Sequence, residues 1–170
     1  PEFIYRRMSG SPRIFERTLD NTDIVENVPV SRDGSFKGWL PIMNGCNNFC
    51  TYCIVPYVRG RERSRSIEAV VNEVKALVNE GYKEITLLGQ NVNSYKYGEV
   101  GFPELMAMVA EVSPLLRVRF ATSHPKDLSD RLIECIASHP NICRAIHLPA
   151  QSGSTRMLEL MNRKYTRQWY

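Results

Sequence analysis

From Phe36 onward, short apolar runs alternate with stretches of helical period, and that rhythm predicts the fold. Gly38-Trp39-Leu40-Pro41-Ile42-Met43 reads as a first strand, with a cysteine-rich loop directly at its C-terminal end. Ser66 then caps a helix whose apolar positions Ile67, Val70, Val71, Val74, Leu77 and Val78 follow a 3.6-residue period, with Glu68 in the first turn and Gly81 at the exit. Ile85 to Leu88 is a short buried strand closed by Gly89, and Pro103 opens a helix carrying Leu105, Val109 and Val112. Leu116, Val118 and Phe120 alternate with Arg117, Arg119 and Ala121 as a third strand, and a helix runs from about Leu128 to Ser138. Cys143 to Leu148 reads as a fourth strand, and Ser154 is placed to cap a helix containing Met157, Leu158 and Met161.

Strand followed by helix, about four times over, implies parallel pairing through right-handed crossovers. The expected class is α/β, a partial (β/α) barrel whose sheet stays open at its later edge. Residues 1–35 show no sustained period, carry Arg6, Arg7, Arg13, Glu16 and Arg17, and end in the turn-like Ser31-Arg32-Asp33-Gly34. They read as a linker or the edge of another domain, leaving 36–170 as the βα unit array.

Composition narrows the function classes. No stretch reaches the roughly 18 consecutive apolar residues of a membrane span, and the first thirty residues have no signal-peptide core, so the expected location is the cytoplasm. A net charge of +4 and a pI near 8.9 permit a nucleic-acid partner without demanding one. Of the five cysteines, three fall within eight residues, which favours metal or redox chemistry over a disulfide framework. Cys135 and Cys143 lie in apolar patterns and read as small buried hydrophobes.

Cys46, Cys50 and Cys53 have the spacing C-x3-C-x2-C, which lets three thiolates hold three corners of a 4Fe-4S cube and leaves one iron without a protein ligand. A structural zinc site would want four ligands, and no Cys or His follows within the next seventy residues. Zinc completed by a distant histidine remains the alternative; His124 and His147 stand at strand ends and His139 at a helix exit.

The segment from Gly45 through Cys53 to Arg65 resembles the radical S-adenosylmethionine (SAM) signature of the methylthiotransferases. Leu87 to Tyr95 and His147 to Ser154 resemble two further segments of that family in the same order, and the resemblance runs from about Val28 to the end of the chain. Within the family it is closest to the branch that modifies isopentenylated adenosine beside the tRNA anticodon, the stretch Asn91-Val92-Asn93-Ser94-Tyr95 favouring that branch. Sibling enzymes acting on threonylcarbamoyl-adenosine or on a ribosomal-protein aspartate are the first alternative, and a non-catalytic metal-binding or redox-sensing module is the second.

The resemblance implies a 4Fe-4S cluster on Cys46, Cys50 and Cys53, SAM chelated to the open iron, and reductive cleavage to a 5′-deoxyadenosyl radical. Tyr52 then lies near the adenine or packs the loop. Gly89, Gln90 and Asn91 would meet the SAM ammonium, although the family's usual Gly-Gly-Glu is replaced here. Ser123, His124, Gln151 and Ser152 end later strands and would line the same mouth or serve as plain turn residues. Arg117 and Arg119 either face the lumen toward a carboxylate or phosphate or pair with nearby acids. Arg59, Arg61, Arg63 and Arg65, with Tyr57 interleaved, would contact RNA phosphates or form a solvated loop. Family members also carry a sulfur-supplying second cluster in an N-terminal domain and an RNA-binding β-barrel, and they need a reductant. Residues 36–170 are therefore expected to be the N-terminal part of the SAM domain, and the 170 residues not to complete the reaction alone.

Overall fold

The computed structural model describes residues 2–10, Pro12, Ile24, Glu26, Val30, Arg32 and 36–170. Helix α1 spans Glu2–Met8. The charges at Arg13, Glu16 and Arg17 and the turn around Asp33 and Gly34 lie outside the described residues.

Three parallel strands form the central sheet: β1 (Lys37–Pro41), β4 (Glu84–Leu88) and β7 (Arg117–Phe120), in the order β1-β4-β7. Leu40 stands opposite Leu87, and Leu87 opposite Phe120, so one face of the sheet is continuously apolar. Three helices cover it: α3 (Ile67–Asn79), α4 (Phe102–Glu111) and α5 (Asp130–Ser138). Their buried stripes, Val70, Val74 and Leu77 on α3 and Leu105, Met106 and Val109 on α4, join Leu40, Ile85, Leu87, Val118 and Phe120 in one core. Each large apolar side chain so buried contributes about 1.5–3 kcal/mol before entropy is counted. The opposite face carries the charged side chains, beside the exposed Trp39. There Glu84 meets Arg117 at 3.4 Å and Lys37 and Arg119 each at 3.8 Å.

Local chemistry sets the helix ends. The Ser66 hydroxyl accepts from Ala69 N (3.3 Å), while Gly81, at φ 98°, lets Gly81 N reach Val78 O (3.1 Å) and Tyr82 N reach Leu77 O (3.0 Å). Glu26 and Arg32 also dock here: the Glu26 carboxylate accepts from Ser66 N (2.8 Å), and Arg32 pairs with Glu73. Gly101 N donates to the Glu104 carboxylate (2.9 Å) at the start of α4, and Ser129 caps α5 through Leu132 N (3.3 Å).

The fourth strand expected over 143–148 does not form. Pairing with β7 is limited to a parallel bridge at Val118 and Ile142, held by Val118 N to Asn141 O (2.9 Å) and Cys143 N to Val118 O (2.8 Å). At the end of the run and just after it, side chains take the carbonyls: Tyr170 Oη donates to Leu148 O (2.8 Å), Arg163 Nη2 to Pro149 O (3.1 Å) and Tyr165 Oη to Ala150 O (2.5 Å). The last helix, α6, is shorter than expected at Thr155–Leu160, and Ser154 sits at its cap position without a side-chain capping bond. Two small hairpins were not foreseen. β2 (Met43–Asn44) pairs antiparallel with β3 (Arg63–Ser64), and β5 (Lys96–Tyr97) with β6 (Val100–Gly101). No helix among the described residues is long and apolar enough to cross a membrane.

Candidate functional site

Because β1, β4 and β7 are parallel, the loops after them open at one end of the sheet. The cysteine loop lies between β2 and helix α2 (Val55–Arg59), with the β2–β3 hairpin closing its base. Gly45 turns the chain there at φ 80°, and a Cβ on it would stand 2.0 Å from the Arg61 carbonyl oxygen, so only glycine fits. Cys46 N donates to Gly60 O (3.2 Å), Cys53 N donates to Cys50 O (2.9 Å), and Phe49 completes the turn in left-handed backbone at φ 45°.

Cys46 and Cys50 are buried, Cys53 is half-buried, and all three thiols are free. Burial pushes the Cys46 thiol up, the Asn48 backbone opposes, and Glu62, Cys50 and Cys53 push further, so the three sulfurs share one electrostatic neighbourhood. Among the described residues no three His, Cys, Asp or Glu side chains stand close enough to grip a single ion, the three loop cysteines included. A cube presents separate irons to separate thiolates and does not need that tight a cluster.

The loop is pinned from the far end of the chain. Asn162 Nδ2 donates to Asn48 O (3.3 Å) and Phe49 O (2.9 Å), Thr51 N donates to Met161 O (3.2 Å), and Thr51 Oγ1 donates to Leu160 O (3.2 Å). Arg163, 5% exposed, sends Nη1 to Cys50 Sγ at 3.5 Å, Nη2 to Pro149 O and Nε to Tyr165 Oη at 3.4 Å. Burial alone would lower its pKa, but hydrogen bonds to Tyr165 and Cys50 and the fields of Tyr52 and Tyr165 outweigh it, so the guanidinium stays charged. Of these residues, Leu160, Asn162, Arg163 and Tyr165 are not marked by any sequence motif. The only local signal is a polar Asn162-Arg163-Lys164-Tyr165 run directly after an apolar helix.

The loops after β4 and β7 are stitched together. Val92 N donates to Thr122 O (3.0 Å), while Asn93 and His124 bond reciprocally, Asn93 Nδ2 to His124 O (3.1 Å) and His124 N to Asn93 Oδ1 (3.0 Å). Asn91 Nδ2 donates to Asp127 (2.7 Å). Gly89 is cradled so closely that a Cβ would meet Met43 Cγ at 2.5 Å. Four buried atoms at these strand ends have no hydrogen-bond partner: Gln90 Oε1, Asn91 Oδ1, Ser123 Oγ and His124 Nε2. The His124 Nδ1 accepts from Lys126 N (3.2 Å), which assigns the ring proton to Nε2. Burial drives this imidazole down to about 4, the Arg163 charge adding to the effect, so it is neutral at pH 7. Its ring meets Tyr165 edge-on at 5.7 Å.

The other expected site residues divide. Tyr52 is 54% exposed beside the cysteines, its hydroxyl pushed up by burial against the opposing Arg163 charge. Gln151 is exposed in left-handed backbone at φ 66°, and the Ser152 hydroxyl accepts from Ser154 N (3.1 Å). Arg117 and Arg119 do lie on the charged sheet face, engaged by Glu84. The arginine stripe breaks up. Arg59 is exposed, Arg61 lies over the Phe49 ring (4.6 Å), and Arg63 donates to Arg59 O (3.0 Å). Arg65, expected at the RNA face, is instead buried, paired with Glu73 of α3 (2.8 Å) and donating to Pro41 O (2.9 Å), which turns its charge inward and away from any RNA phosphate. Its carbonyl accepts from Tyr95 Oη (2.7 Å), whose phenol burial raises to about 12.

A family model described as the Radical SAM superfamily matches residues 40–170. The chain is 60% identical over 177 aligned residues to the tRNA-2-methylthio-N(6)-dimethylallyladenosine synthase of Bacteroides fragilis, covering all of this chain and 38% of that protein. It is 51% identical over 173 residues to the synthase of the same name from Desulforamulus reducens, again over all of this chain and 38% of the relative. The chain thus spans well under half the length of these curated relatives. Among solved structures, the radical S-adenosylmethionine methyltransferase TsrM from Kitasatospora setae superposes with a TM-score of 0.63 at 18% identity, over 78% of this chain and 26% of that one. The cobalamin-dependent S-adenosylmethionine radical enzyme OxsB superposes with a TM-score of 0.60 at 14% identity, over 77% of this chain and 20% of that one. At such identities these two structures speak for the fold alone.

Proposed function

This chain belongs to the radical SAM superfamily, and on that premise we propose that it is the SAM-binding, radical-generating segment of a tRNA methylthiotransferase acting on dimethylallyladenosine next to the anticodon. Residues 36–170 form the front part of its SAM domain, and 1–35 lead in from another domain. The complete protein works in the cytoplasm with tRNA and a low-potential reductant as partners. The names of the 51–60% identical relatives support the substrate.

One observation carries the reading: a three-cysteine loop and four buried, partnerless polar atoms share one end of a parallel sheet. Each unmet buried polar atom costs about 1–3 kcal/mol, so four at one rim are best explained by a polar ligand. The residues present therefore fit the implied groups. Cys46, Cys50 and Cys53 would hold a 4Fe-4S cluster, and Gln90, Asn91, Ser123 and His124 would meet SAM. When bound and reduced, the cluster supplies the electron that cleaves SAM to a 5′-deoxyadenosyl radical.

The chain's own part is positioning. Gly45 and Gly89 let backbone approach closely where a side chain would collide. Neutral His124 offers Nε2–H as a donor without adding charge, and Tyr52 leaves an exposed ring face for an adenine. Arg59 and Arg61, with Tyr57, present charge and aromatic surface beside the loop for RNA, and Arg63 braces that segment.

Anaerobic reconstitution with iron and sulfide, followed by dithionite and SAM, tests the proposal. The expected result is 5′-deoxyadenosine, lost in the single Cys46→Ala, Cys50→Ala and Cys53→Ala variants and kept in Cys135→Ala and Cys143→Ala. Cleavage that survives all three loop substitutions refutes the assignment.

A further inference from the structure

Arg163 is a buried cation with three simultaneous engagements, one of them the sulfur of Cys50 at 3.5 Å. Its other two partners are neutral: the Pro149 carbonyl and the Tyr165 hydroxyl. None of the described ion pairs involves Arg163. A guanidinium buried without a carboxylate is costly unless something anionic faces it. The Cys50 sulfur is the group within reach that becomes anionic when it ligates a metal.

Resting on the proposed cluster site, we propose that Arg163 is a positioning residue that tunes the cluster, donating a charge-assisted hydrogen bond to the Cys50 thiolate and so stabilising the reduced state. One-electron reduction adds a negative charge to the cluster. A fixed cation against one thiolate favours that added charge, as hydrogen bonds to cluster sulfurs and net local charge do in general. The arrangement is preorganised, because Tyr165 and Pro149 hold the fork in place from the side away from the cysteine, and the Tyr165 ring lies 5.5 Å from the guanidinium carbon. Asn162, one residue away, grips only the loop backbone at Asn48 and Phe49. Charge and loop support thus come from separate side chains and can be separated by substitution.

The test is an electron-paramagnetic-resonance redox titration of the reconstituted chain with dithionite. Arg163→Gln is expected to lower the midpoint potential, cutting the ratio of reduced to oxidised cluster at a fixed poise about tenfold, equivalent to about 59 mV for one electron. Arg163→Lys, which keeps the charge, should recover at least half of that ratio, and Asn162→Ala should leave the potential where it was. If Arg163→Gln does not fold, Arg163→Met read against Arg163→Lys makes the same comparison. An unchanged potential in the neutral variants, with iron and sulfide content intact, overturns the inference, as does an equal shift in Asn162→Ala. An unsubstituted chain that assembles no 4Fe-4S cluster, or a Cys50→Ala variant that assembles it equally well, instead overturns the proposed function and the inference with it.

Discussion

His124→Asn should flatten the acid limb of the stability curve. In the folded chain the imidazole sits at about 4 because burial opposes its charge, whereas an unfolded histidine titrates near 6.5. The folded state therefore binds fewer protons than the unfolded state between those values, and stability rises with pH across that window. Above about pH 6.5 both states are neutral and nothing is lost. As pH falls toward 4, the unfolded chain gains a proton that the folded chain refuses. From about pH 7.5 to about pH 5 the penalty works out at roughly 2 kcal/mol, and it approaches about 3 kcal/mol once the folded imidazole also titrates. His124 is 5% exposed, so solvent screening takes little from that figure. Asparagine can keep the acceptor that receives Lys126 N and cannot titrate. Urea denaturation at both pH values, in both proteins, cancels the carboxylates common to the two. The unsubstituted chain should lose about 2 kcal/mol more than the variant over that interval. Parallel pH dependence would refute the buried neutral imidazole.

Two substitutions probe the frame around the site. Gly45→Ala must displace the Arg61 carbonyl, 2.0 Å from the new methyl, and adopt positive φ, so a loss on the order of 3 kcal/mol or more is expected in thermal denaturation, together with failure to load iron. Leu87→Ala, in the middle of the central strand and fully buried, should cost about 2–5 kcal/mol by urea denaturation; a loss under about 1 kcal/mol would mean that the apolar face described for the sheet is wrong.

The sequence made the helices readable because their information is local. The apolar stripe of α3, its Ser66 cap and its Gly81 exit all lie within one short stretch, and the structure realises each of them. The same holds for three of the strands. Cys143 to Leu148 has the composition of a strand, yet its pairing with β7 ends at Cys143, and at the far end the carbonyls of Leu148, Pro149 and Ala150 are taken by Tyr170, Arg163 and Tyr165, partners whose geometry no local pattern encodes. Arg65 fails for a related reason. Alternating charges mark a face but do not say whether that face is covered, and Glu73 on α3 covers it. At the site, the cysteine spacing is a local pattern and was legible. The clamp from Leu160 to Arg163 joins the loop across more than a hundred residues and was not.

That clamp changes how the rim should be understood. Loops after separate strands are by default independent and mobile. Here Asn93 is locked to His124, the His124 ring packs on Tyr165, Tyr165 holds Arg163, and Arg163 reaches Cys50, so three strand-end loops and the α6 exit form one connected path. Along this path the Asn93 amide satisfies the backbone N–H and carbonyl of His124, while the atoms left without partners, Gln90 Oε1, Asn91 Oδ1, Ser123 Oγ and His124 Nε2, belong to residues that the same path holds in place or flanks. A flexible rim would relieve such atoms by turning them to water or to each other. A braced one cannot, and it bears an unmet polar cost of about 1–3 kcal/mol per atom that a ligand with matching groups would relieve on binding. Bracing around a set of unmet donors and acceptors is what a preformed site in this fold would require.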